Sequence, residues 1–62
     1  MSDLFAGEPI PIEEQIAEVE REIAMRRRVY PGWVRAGRMD ADTADRRIAA
    51  MQAVLEALRR SK

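Results

Sequence analysis

The chain has 62 residues, with no cysteine and no histidine, and its eleven basic and eleven acidic side chains cancel to a formal charge of zero. That composition excludes disulfides, the usual zinc ligand sets, a Cys-His pair and a Ser-His-Asp triad. A domain this short buries only about 60% of the surface it exposes when unfolded, so a partner chain or a second copy is its remaining support.

The charge balance sets the chain apart from general polyanion binders, which carry an excess of Lys and Arg. Arginine outnumbers lysine ten to one, a bias that favours fork-like pairing with carboxylates or phosphates. There is no run of 18 apolar residues, so no membrane span is expected. The segment Met1-Ser2-Asp3-Leu4 lacks the basic and apolar regions of a secretory signal, and a cytoplasmic location is the expectation.

Residues 1–11 read as an extended N-terminal arm, because Gly7, Pro9 and Pro11 oppose regular structure. Leu4 and Phe5 are its motif candidates. Ser2-Asp3-Leu4-Phe5 resembles the second half of the bacterial sliding-clamp binding peptide but lacks the Gln with which that peptide starts.

Helix 1 is predicted over about 12–29. Proline is well placed just before or within a first turn, and Glu13 and Glu14 suit the positive end of the helix dipole. Ile12, Ile16, Val19, Ile23 and Tyr30 fall within one stripe when projected at about 100° per residue. Pro31 argues against continuation past Tyr30.

A folded connector is expected over about 30–40, with Trp33 and Val34 plugging the end of a hairpin and Gly37 supplying a left-handed residue. Helix 2 is predicted over about 41–60. Asp40 is its N-cap, and Met39 can pack on Ala44 as a hydrophobic staple. Ala44, Ile48, Met51, Leu55 and Leu58 form its apolar stripe. The fold class is therefore all-α, an antiparallel two-helix hairpin with a structured connector.

Helix 2 is apolar on a second flank, where Ala50, Ala53, Val54 and Ala57 lie. A hairpin covers one face of each helix, so this flank is the expected dimer face and the whole is expected to form a four-helix arrangement. High helix propensity alone also accounts for the alanines.

The charges admit two readings. In an antiparallel hairpin, Glu13, Glu14 and Glu18 lie beside Arg59, Arg60 and Lys62, while Arg26, Arg27 and Arg28 lie beside Asp40, Asp42 and Asp45. The alternative is a nucleic-acid patch of Arg26, Arg27, Arg28, Arg35 and Arg38, with Tyr30 and Trp33 available for stacking. Arg35 and Arg38 are the basic residues that pairing explains least. Together with Met25, Val29 and Trp33 they are the candidates for a partner site at the turn. The acidic residues of both first turns are expected there for capping and dipole reasons, so no catalytic, cofactor-binding or metal-binding residue is assigned.

The segments Glu22-Ile23-Ala24-Met25-Arg26-Arg27-Arg28-Val29-Tyr30-Pro31, Trp33-Val34, Gly37-Arg38-Met39 and Ala44-Asp45-Arg46-Arg47-Ile48-Ala49-Ala50-Met51 resemble short proteins encoded by tailed bacteriophages and prophages of proteobacteria. The resemblance covers about residues 20–58. It implies phage or prophage origin and a bacterial cytoplasm, and it carries no functional residue over to this chain. The expected function is that of a small non-enzymatic accessory protein that dimerises and binds a host or phage protein. The alternatives are a nucleic-acid-binding accessory factor of phage replication or recombination and a purely structural assembly subunit.

Overall fold

A computed structural model of the chain describes residues 9–62, which form two helices, α1 (Ile12–Arg35) and α2 (Ala41–Arg60), packed on each other. The motifs proposed for Leu4 and Phe5, and most of the arm, lie outside the described residues.

The start of α1 is built by Pro11, whose φ of −59° is preset for helix entry and whose carbonyl accepts from the amides of Glu14 and Gln15. The Gln15 side-chain amide donates to the Ile10 carbonyl at 2.8 Å and ties the preceding residue to the first turn. The start of α2 is built by Asp40, whose carboxylate accepts from the amides of Asp42 (3.0 Å) and Thr43 (3.3 Å). Two of the four amides that a helix leaves unpaired are satisfied in this way.

The end of α1 differs from expectation. The helix does not stop near Val29; it runs through Pro31 to Arg35. Proline removes one intrahelical bond, here to the Arg27 carbonyl, and crowds that carbonyl at a cost of about 3 kcal/mol. Pro31 and Arg27 are both exposed, so water can take the place of the lost donor. Continuation also has a return. It places Val34 one turn beyond Tyr30, on the apolar stripe, where it is half-buried.

The connector is correspondingly short, residues 36–40. The Arg38 amide donates to the Trp33 carbonyl at 2.8 Å and the Gly37 amide to the Val34 carbonyl at 3.0 Å. With Gly37 at φ +77°, this is the two-bond Schellman closure, which needs a left-handed residue at that position. The expected role of Gly37 is met, although the helix it closes is longer.

Among the described residues Ile23, Tyr30 and Ala44 are buried, at 7%, 5% and 5% exposure, and all three lie on the predicted stripes. Ile16, Val19, Ile48, Met51, Leu55 and Leu58, on the same stripes, are only half-buried. The molecule is 14 Å across its thinnest dimension, close to one helix diameter of about 10–12 Å. It is a single layer of two helices, and the described residues cover neither face of that layer.

Candidate interaction surfaces

Continuous helix through Pro31 decides what the turn region presents. Met25, Val29 and Trp33 follow one another at intervals of four and so form one ridge, about 40° further round the helix at each step. Met25 and Val29 are half-buried, and Trp33 is 41% exposed. Trp33 therefore does not plug the hairpin end; Val34 and Tyr30 fill the stripe there instead. The Trp33 ring stacks at a tilt on Tyr30, with centroids 5.5 Å apart and planes at 35°. Half of the indole is thus anchored by an intramolecular contact and the rest faces solvent.

Beside the lower end of the ridge lies an open concavity of about 480 Å³, lined by Glu18, Arg21, Glu22, Ala24, Met25 and Arg28. Arg35 and Arg38 do not join the ridge. Arg35 projects about 160° away from Trp33 around α1, and Arg38 follows the helix end. Three of the five partner-site candidates are therefore brought together, and two are not.

None of the cross-hairpin ion pairs expected from the charge scheme forms among the described residues. No ion pair links Arg26, Arg27 or Arg28 to Asp40, Asp42 or Asp45 among the described residues. Arg26 instead pairs with Glu22 of its own helix at 2.7 Å and donates across the hairpin to the Arg47 carbonyl at 3.1 Å. Arg59 pairs with Glu20 at 2.8 Å, the single interhelical ion pair among the described residues. Arg21 pairs with Glu18 within α1.

The pairing scheme missed Glu20 because it matched acidic and basic clusters end to end, whereas the contact depends on helix flank. Both helices put these residues about 60° from their stripe centres, on the same side of an antiparallel pair. Arg27, Arg28, Arg35 and Arg38 are exposed and make no ion pair among the described residues. Arg46 is also exposed and Arg47 lies beside it, and both line a second open concavity of about 290 Å³ with Asp42 and Thr43. Sequence reasoning did not single these two arginines out.

Ala50, Ala53, Val54 and Ala57 are all exposed, Val54 at 45%. The flank chosen from the sequence as a second contact surface is uncovered in the isolated chain. No helix among the described residues is long and apolar enough to cross a membrane. Among those residues, no three His, Cys, Asp or Glu side chains lie together in a group able to hold a metal ion.

No family model, curated protein or solved structure matches this chain.

Proposed function

We propose that this chain is a small non-enzymatic protein–protein interaction module of phage or prophage origin that dimerises and binds a host or phage protein in the bacterial cytoplasm. The observation that carries the interaction role is the uncovered apolar surface. Among the described residues Trp33 and Val54 are exposed, and Ile16, Val19, Ile48, Met51, Leu55 and Leu58 on the facing stripes are only half-buried.

The Met25–Val29–Trp33 ridge is the proposed partner site, because tryptophan at a surface is the residue type most enriched among binding hot spots. The phage origin rests on the resemblance of residues 20–58. The test is capture from a bacterial lysate by immobilised wild-type and Trp33→Ala chains. A protein held by the wild type and lost from the variant supports the assignment; identical captures reject the ridge as the site.

One observation favours the second reading. Arg27, Arg28, Arg35 and Arg38 lack carboxylate partners among the described residues, so the nucleic-acid alternative keeps four of its five residues free, Arg26 being engaged by Glu22. A nucleic-acid accessory factor retards DNA or RNA at low salt and loses affinity steeply as salt rises. Absence of retardation at low salt eliminates this reading.

A further inference from the structure

Trp33 and Val54, the exposed large hydrophobic residues among those described, share one side of the hairpin. Projected at about 100° per residue, Trp33 lies on the same flank of α1 as Arg26, and Val54 on the same flank of α2 as Arg47. Arg26 reaches the Arg47 carbonyl across the gap between the helices, so this contact marks the side to which both flanks belong. The Glu20–Arg59 pair spans the opposite side. The first side also carries Val19, Met51 and Leu58, which remain half-buried, and Ala50, which is exposed. The hairpin thus has one side bridged by an ion pair, and one on which Trp33 and Val54 stand exposed beside Arg26 and Arg47.

The same hairpin is electrically polar along its length. Residues 24–48, at the turn end, carry seven arginines and three aspartates, a formal +4. Residues 9–23 and 49–62, at the free end, carry six glutamates and four basic side chains, a formal −2. Two copies stacked with their turns together oppose positive ends; two copies stacked turn to free end bring opposite charges together.

We infer that a second copy of this chain covers the Trp33–Val54 side by two-fold packing, with its turn over the first copy's free end, giving an antiparallel four-helix bundle. This rests on the dimerising role proposed above and adds to it the face and the orientation; it makes Trp33 a dimer contact and leaves the Met25 end of the ridge, further round α1, to the host or phage protein. A symmetric contact of this kind joins one patch to itself. Trp33 of each copy then covers apolar residues at the partner's free end, where the hairpin has no closing turn of its own.

The chain has no cysteine, so single spin labels report single sites. Light scattering on the wild type should give twice the monomer mass. A label at Ala50→Cys, near the middle of the face, should show an intercopy distance under about 20 Å, two helix layers being about 10 Å apart. A label at Arg38→Cys, at the turn, should show one above about 30 Å, the length of a 20-residue helix. Val54→Glu should halve the mass, and Gln52→Glu, exposed on the other side, should leave it unchanged.

A monomeric wild type at all concentrations overturns both this inference and the dimerising role. A dimer with a long distance at residue 50, or one that Val54→Glu leaves intact, overturns the face alone. A short distance at residue 38 overturns the orientation alone. Both distances are read with Val54 in place, so they decide the outcome even if Val54→Glu loses its helices.

Discussion

Tyr30 is the largest side chain that the hairpin buries, and it does so with few others for company: among the described residues only Ile23 and Ala44 are as well covered. Truncating a buried aromatic side chain costs about 3 kcal/mol or more, a large fraction of what a small domain has to lose. Tyr30→Ala is therefore expected to lower the denaturation midpoint sharply, and chemical denaturation followed by circular dichroism measures it. A change within error shows that Tyr30 is not central to packing. Gly37 tests the backbone instead. A Cβ there meets nothing within 4 Å, but φ is +77°, so the cost of Gly37→Ala is conformational, about 1 kcal/mol. Gly32 has an ordinary helical place, and no strain of this sort attaches to it.

Among the elements, α1 is where local and tertiary preferences compete. Pro31 argues locally for a stop, and the expected boundary near Val29 followed from that. The helix continues because the segment after the proline still carries Val34 at the spacing that buries it beside Tyr30, and because Gly37 provides a later stop. Pro31→Ala restores an amide to the Arg27 carbonyl and removes the ring clash, against a smaller loss from loosening the unfolded chain. The expected outcome is a gain of about 2 kcal/mol, read as a higher melting temperature. A loss instead would mean that proline geometry is required to bring Trp33 onto Tyr30. The starts of both helices were legible in Pro11 and Asp40, since caps act within four residues. The interhelical ion pair was not legible, because it depends on how two flanks align across the gap. At 54% and 49% side-chain exposure, the Glu20–Arg59 pair is worth about 0–1 kcal/mol, so it marks one side of the hairpin more than it stabilises the fold.

At the scale of the molecule, two helices make one layer, and one layer cannot enclose a core. If a second copy completes it, folding and association are linked and the melting temperature rises with protein concentration. Scans over a wide concentration range check this, and a constant midpoint contradicts it. Added salt is expected to weaken an antiparallel dimer by screening the opposed ends. The sequence by itself determined the helical class, the two apolar stripes, the caps and the left-handed glycine, since each is set by spacing or by chemistry within a turn. Only the tertiary structure decided that Pro31 lies inside a helix, that Trp33 faces outward on a ridge with Met25 and Val29, and that Arg26 reaches Arg47 rather than the aspartates. Those outcomes depend on which flanks face each other once the helices pack, and neither periodicity nor composition contains that rotation.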